Sequence, residues 1–304
     1  MKWNLITILG PTASGKTELA VAIADLLHSE IISADSRQVY RRMDIGTGKD
    51  LSAYLAANKP VPYHLINIRE PGEKYNVFEY QRDFFLTYHK LRNEGKLPLL
   101  CGGTGMYIEA VLRGYRLREV PPNPALRLAL QDKSLDELSS LLAQPHIDTT
   151  RRAIRAIEIE EFHRQDTLRH TNYTPPLSLV LGLHMERETR RQAISRRLRA
   201  RLEEGMLDEV QRLLDEGLSP QDLIYYGLEY KFLTLHLTGA LSYQNMVQQL
   251  ETAIHQFAKR QMTWFRGMER RGIPIHWIDA DLPLHQKLSF FTYLCHPHDK
   301  RREV

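Results

Sequence analysis

Cysteine is nearly absent from this chain of 304 residues, which has only Cys101 and Cys295. Two thiols cannot build a disulfide framework, and neither is expected to serve as a metal ligand. Long apolar runs are missing as well; none approaches the roughly 18 residues that cross a membrane. Glycine (17) and proline (15) are too sparse for a collagen-like or low-complexity chain. A large excess of one charge is also lacking, since 41 basic residues face 37 acidic ones. With 42% hydrophobic and 26% charged residues, the composition is that of a folded chain rather than a disordered one. The start, Met1-Lys2-Trp3-Asn4, runs directly into an apolar stretch and a glycine loop, so no signal peptide is expected. These absences predict a soluble cytoplasmic protein, a monomer without membrane contact, built as one full-sized α/β domain plus a smaller addition.

The near balance of charge hides local basic stripes. Seven arginines (187, 190, 191, 196, 197, 199 and 201) stand against the single acid Glu188, and further groups lie at 151–155 and 259–271. Such stripes suit a polyanionic partner, but they also suit solvated helical faces, and composition leaves both readings open.

Periodicity gives the organisation. Leu5–Leu9 is a short, continuously apolar run, as in a buried parallel strand. A glycine loop follows, then apolar residues at helical spacing over 18–27. Strands are expected again at 30–34, 97–101, 177–183 and 275–278, with long amphipathic helices at about 187–204, 206–216 and 243–270. Strands alternating with helices predict right-handed crossovers and a parallel sheet covered on both faces, with ligands at the carboxyl ends of the strands. Proline clusters at 121–124 and 175–176 bracket a stretch that reads as helices alone. The expected division is therefore a core of residues 1–114 and 176–304 carrying a helical insertion at 115–175.

Gly10-Pro11-Thr12-Ala13-Ser14-Gly15-Lys16-Thr17 satisfies the G-x-x-x-x-G-K-[ST] pattern, with a strand before it and a helix after it. The glycines let backbone N–H groups converge on phosphate oxygens, Lys16 adds a point charge, and the Thr17 hydroxyl is placed to hold Mg²⁺. A nucleotide-hydrolysing switch or motor also carries an aspartate at the end of a second strand. Here the strand at 97–101 runs into Cys101-Gly102-Gly103-Thr104-Gly105 without a carboxylate. The acid at a suitable strand end is Asp35, for which three roles compete: outer support of a metal, a helix N-cap, or a base beside the phosphate site.

Six segments in one order, GPTASGKT (10–17), EIISADSRQVY (30–40), MDIGTGK (43–49), HLIN (64–67), PLLCGGTGMYI (98–108) and AKRQMTWFR (258–266), resemble the tRNA dimethylallyltransferase family. The resemblance spans about residues 5–278. It implies a P-loop NTPase-like parallel sheet flanked by helices, with a small helical insertion domain. It also implies transfer of a dimethylallyl group from dimethylallyl diphosphate to N6 of the adenosine 3′-adjacent to the anticodon in tRNA. The P-loop, Gly10 to Thr17, would then hold a diphosphate with Mg²⁺ on Thr17. Asp35 matches the family's base, Arg197 the arginine on the leaving group, and Thr104 a threonine that contacts the target nucleotide. The implied tRNA contacts are Asp35, Ser36, Arg37, Gln38 and Thr104 where the base enters, and Arg127, Arg151, Arg152 and Arg155 in the insertion. Capping of the next helix is the plainer role for Thr104, and both can hold. By the same token Trp264 and Phe265 read as core, His64 as a packing or hydrogen-bonding residue near the substrate loops, and Tyr225-Tyr226 has no assigned role.

The chain departs from the family's T-A-K-P at Thr47-Gly48-Lys49-Asp50 and from its His-His-Leu at Tyr63-His64-Leu65. It departs again at Ile254-His255, where Thr-Arg is customary, and at Glu229-Tyr230-Lys231, where a glycine leads. None of these falls on the P-loop, Asp35 or Thr104, so the expectation is intact chemistry with altered RNA contacts. The rival functions are prenylation of a free adenine nucleotide, a P-loop small-molecule kinase, and a non-catalytic RNA-binding module.

Overall fold

The structure, a computed structural model, describes residues 2–55, 59–143, 147–165 and 172–296. In chain order the elements are β1 (Leu5–Leu9), α1 (Lys16–Leu26), β2 (Ile31–Ser33), a 3₁₀ turn at Leu51–Leu55, β3 (Tyr63–His64), α2 (Val77–Asn93), β4 (Leu99–Gly102) and α3 (Gly105–Leu112). Next come α4 (Pro124–Leu130), α5 (Leu135–Ser140), α6 (Thr150–Gln165), β5 (Ser178–His184), α7 (Arg187–Glu203) and α8 (Met206–Asp215). The last are α9 (Pro220–Tyr225), α10 (Leu228–Leu237), α11 (Tyr243–Arg270), β6 (His276–Asp279) and α12 (Leu284–Cys295). The chain divides into two compact units, residues 1–114 with 174–304, and Tyr115–Tyr173.

The first unit is built on one six-stranded sheet in the order β3-β2-β4-β1-β5-β6, parallel throughout. β1 is central, with every residue buried, and pairs Ile6 with Leu99 on one side and with Leu179 on the other. A strand covered on both faces needs no polar side, which is why its sequence is continuously apolar. The loops after β1, β2 and β4 therefore open at one edge of the sheet, where the crossovers begin. Backbone bonds join two of them: Ala34 N–H donates to Cys101 O (2.7 Å) and Thr104 N–H to Ala34 O (3.1 Å).

The strands expected at 5–9, 30–34, 97–101, 177–183 and 275–278 are all present within two residues of those limits. β3 has only two residues and α9 six, too short for any period to show. Nothing periodic marked α10 or α12 either, and α10 starts from Gly227 at φ 126°, a turn position rather than a helix signal. α2 does carry a local signature, the capping box Asn76…Glu79.

The second unit packs Leu130, Leu138, Leu142 and Ala153 into a small core of its own. Residues 144–146 and 166–171 of the expected insertion lie outside the described residues. Asn123 caps α4 with proline at its first position, and Ser134 with Glu137 forms a capping box on α5. At its centre Glu158, almost fully buried, accepts from Arg127 (2.7 and 2.9 Å), the Asn123 N–H (2.8 Å) and Arg155 (3.0 Å). Burial pushes this carboxyl up, but the donors outweigh it and hold it at about 2. Because the folded value lies below the unfolded one, the stabilisation is complete above about pH 4.5 and is lost as pH falls through the folded value. Amide protection in residues 115–173 is therefore expected to fall between about pH 4.5 and 2. Glu158→Gln should lower protection at neutral pH and remove that dependence, as hydrogen exchange corrected for intrinsic rates would show.

Candidate active site

The P-loop takes its shape from its backbone. Gly15 sits at φ 74° and Ala13 at φ 64°, so successive N–H groups turn toward one side before α1 begins at Lys16. That arrangement is an anion cradle at a helix N-terminus. Lys16 Nζ rests 3.5 Å from Pro11 O, and burial lowers its pKa, partly countered by Asp35 and Asp50 and reinforced by Arg197. The Ser14 hydroxyl is buried without a hydrogen-bond partner among the described residues. A cavity of about 560 Å³ opens over this loop and is lined by residues 12–18, together with Asp35 to Gln38, Gly103 to Met106, and Arg197. Gly10 and Pro11 are not part of its wall.

Asp35 follows β2 at the sheet's carboxyl edge, and no helix follows it. Its Oδ1 accepts the Arg37 N–H (2.9 Å) inside a turn over 36–39. The helix-cap role is thereby corrected: the carboxylate shapes a turn and faces the P-loop cavity. Thr104 occupies the N-cap position of α3, but its side chain makes no cap hydrogen bond. Its Oγ1 instead accepts the Ser36 N–H (3.0 Å), tying the β4 loop to the segment after Asp35. Gln38 donates from Nε2 to Gly48 O (3.0 Å) and accepts from Ser33 Oγ (3.3 Å), so both ends of its amide are already engaged. Arg37 lies over the Tyr225 ring at 5.5 Å.

Arg197, from α7, reaches the cavity and donates to Asp50 Oδ2 (2.6 Å) and to Gly48 O (3.5 Å). Arg201, one turn on, lines the same wall, as do Glu229 and Asp50. Three of the four sequence departures thus place a residue on the cavity wall: Asp50, Glu229 and Ile254. Burial raises the Glu229 carboxyl, opposed by Arg201 and Arg197. Tyr63 packs on Tyr54 (4.7 Å between rings), away from the cavity wall, and His255, beside Ile254, sits 3.9 Å from Glu251. His64 bonds Glu30 (2.6 Å) and is not part of the cavity wall, contrary to the expectation that placed it near the substrate loops.

Three further residues organise the site. Gln261, from α11, accepts the Thr12 N–H (2.9 Å) and donates to Gly103 O (2.9 Å), clamping the P-loop to the β4 loop. Trp264 lines the cavity, with its indole N–H buried and unpartnered among the described residues, which corrects its assignment to the core. Phe265 is core, fully buried. Glu209, from α8, accepts the N–H groups of Asp44 (2.7 Å), Ile45 (2.9 Å) and Gly46 (3.0 Å) and the Tyr230 hydroxyl (2.6 Å), fixing the loop that carries Gly48 and Asp50. Tyr226 lines the cavity and donates to Glu73 O (3.0 Å). Cys101 is buried behind the P-loop, with burial pushing its thiol up to about 12. No cluster of three metal-ligating side chains occurs among the described residues.

The remaining candidates, Arg127, Arg151, Arg152 and Arg155, belong to the second unit. Arg127 and Arg155 are held by Glu158, and Arg155 also donates to Val120 O (2.7 Å). Arg152 pairs with Asp148 (2.6 Å), while Arg151 is exposed.

The family model described as IPP transferase matches residues 38–268, and the one described as isopentenyl transferase matches residues 3–62. The tRNA dimethylallyltransferase 1 of Parabacteroides distasonis is 62% identical over 94% of this chain and 96% of its own length. The tRNA dimethylallyltransferase 2 of Phocaeicola vulgatus is 59% identical over 97% and 98%. Among solved structures, the full-length tRNA isopentenylpyrophosphate transferase of Bacillus halodurans superposes with a TM-score of 0.71 at 31% identity, covering 97% of this chain and 96% of that one. A eukaryotic dimethylallyltransferase solved acting on tRNA shares the fold at 21% identity, with a TM-score of 0.75 over 98% of this chain and 81% of that one. A P-loop facing a strand-end carboxylate, on a chain matched along nearly its whole length, places this protein in the tRNA dimethylallyltransferase family.

Proposed function

We propose that the protein transfers the dimethylallyl group of dimethylallyl diphosphate to N6 of the adenosine 3′-adjacent to the anticodon in tRNA. The observation that carries this reading is that Asp35, Thr104 and Arg197 share one cavity with the P-loop. The adenine amine is a weak nucleophile, because its lone pair is delocalised into the ring. A bond forms between N6 and the allylic carbon, the bond from that carbon to the diphosphate oxygen breaks, and Asp35 accepts the amine proton. Pyrophosphate leaves into the amides of the P-loop, Lys16 and Arg197, donors aimed at the charge that develops. Thr104 and the segment Asp35-Ser36-Arg37-Gln38 receive the nucleotide, whose unstacking costs a few kcal/mol.

Mg²⁺ fits this site: Thr17 lines the cavity beside the anion cradle, and the buried Ser14 hydroxyl lacks a partner among the described residues. Bound there through Thr17, the ion would neutralise charge on the diphosphate. The described residues contain no helix long and apolar enough to cross a membrane, which is consistent with work on tRNA in the cytoplasm. Label transfer from radiolabelled dimethylallyl diphosphate, with unmodified tRNA and AMP offered in parallel, tests the proposal. Label on the anticodon-adjacent adenosine is expected. Label in AMP alone would move the protein to free nucleotides, and ATP turnover without label would make it a kinase.

Of these four insertion arginines, Arg151 is the one exposed without an ion pair among the described residues, whereas Arg127, Arg152 and Arg155 are paired within the unit. Arg151→Ala should weaken tRNA binding across sequences and reduce the slope of log Kd against log salt by about one. Arg155→Ala would instead loosen Glu158, so a filter-binding salt series on the Arg151 variant is the cleaner measurement.

A further inference from the structure

Asp50 is held in an unusual position for an acid. It lines the cavity that the P-loop opens into, yet its carboxylate points at the cations that a diphosphate would use. Arg197 Nη2 donates to its Oδ2 at 2.6 Å, and Arg201 Nη2 stands 3.9 Å from its Oδ1. Arg201 is poorly satisfied by this arrangement: its side chain is 12% exposed and Nη2 has no hydrogen-bond partner among the described residues. It lies flat against Gly48, where a Cβ would stand 1.8 Å from Nη2, so the guanidinium has little room except toward the cavity. The backbone under Asp50 is fixed. The preceding Lys49 is buried and donates to Tyr40 O (2.5 Å), Asp44 (2.6 Å) and Asn67 (2.6 Å), and Glu209 holds residues 44–46. Asp50 is thus a carboxylate on a rigid mount, half exposed, across from two arginines on one face of α7.

We propose that Asp50 is an internal competitor for the diphosphate group, occupying Arg197 and Arg201 when the site is empty and taking them back as pyrophosphate departs. The proposal rests on the P-loop holding a diphosphate, as argued above. A guanidinium held by a carboxylate is a charge-assisted contact that an incoming phosphate must replace. The diphosphate carries more charge than Asp50 and wins, but its net affinity is reduced by the contact that it displaces. The expected consequence is weaker retention of the product, whose charge would otherwise hold it over Lys16.

The test is pyrophosphate binding by calorimetry with Mg²⁺, together with pyrophosphate inhibition of label transfer to tRNA, for the full chain. Asp50→Asn and Asp50→Ala should each tighten pyrophosphate binding by about fivefold, the scale of a partly exposed ion pair. Asp50→Glu, which keeps a carboxylate, should restore weak binding. The same Asn substitution in an Arg197→Ala background distinguishes exchange from a simple field effect, and there the tightening should largely vanish. Unchanged or weaker pyrophosphate binding in Asp50→Asn would overturn the proposal, as would a fivefold gain that persists without Arg197. A wild-type chain that binds pyrophosphate but transfers no label would instead break the underlying reading of the activity.

Discussion

Asp35→Asn is expected to lower prenyl transfer by about 10²–10⁴-fold, the usual contribution of a positioned proton acceptor. Binding of tRNA should change little. Asparagine is the informative substitution because it isolates the proton-accepting role. Its side-chain oxygen can still accept the Arg37 N–H that Asp35 Oδ1 receives at 2.9 Å, so the turn over 36–39 survives. The Thr104–Ser36 contact that joins the β4 loop to this turn survives with it. What the amide cannot do is take the proton from N6. Single-turnover rates with saturating tRNA and donor are the measurement, with binding followed separately. If the rate of the Asn variant stays within about tenfold of wild type, the base is another group. A loss confined to Asp35→Ala, absent in Asp35→Asn, would assign the residue to shaping the turn.

The sequence carried more of the chemistry than of its support. Lys16 and Asp35 were legible because each sits where a strand pattern ends and a loop signature begins, and the parallel sheet brings such ends to one edge. The same logic located Thr104, although not its partner: the N-cap reading was reasonable from position, and the hydroxyl in fact bonds Ser36. Arg197 was visible only through resemblance, since α7 carries arginines on several faces and periodicity cannot say which face looks into a cavity. Residues acting across long separations left no local trace. Gln261 meets Thr12 across 249 positions, and Glu209 meets the loop at 44–46 across more than 160. An acid on a short amphipathic helix reads as solvent-facing until the fold shows three backbone N–H groups converging on it. Asp50 and Glu229 were visible as departures from the family pattern, but only the fold places them on the cavity wall that they share with Arg197.

Glu209→Ala is the substitution expected to cost most stability in the core unit, about 3–5 kcal/mol, because it strips a buried site of its charge and leaves its donors unpaired. Three N–H groups, from Asp44, Ile45 and Gly46, and the Tyr230 hydroxyl would lose their acceptor together, those of Gly46 and Tyr230 in buried surroundings. For a unit of this size, that loss corresponds to a fall in Tm of roughly 10 °C. Glu209→Gln should fall between the two, since the amide keeps one good acceptor but turns NH₂ toward one of the donors. The functional effect follows from what the loop carries. Gly48 O receives both Gln38 and Arg197, and Asp50 receives Arg197 again, so a loosened loop releases the arginine from two anchors at once. The Gln variant should therefore raise the KM for the donor more than that for tRNA, with kcat reduced less than in Asp35→Asn. Thermal unfolding in parallel with steady-state kinetics separates these effects. A Gln variant that loses stability but keeps the donor KM of wild type would make Glu209 a purely structural acceptor, whereas a selective rise in that KM ties the carboxylate, through backbone alone, to the setting of the phosphate site.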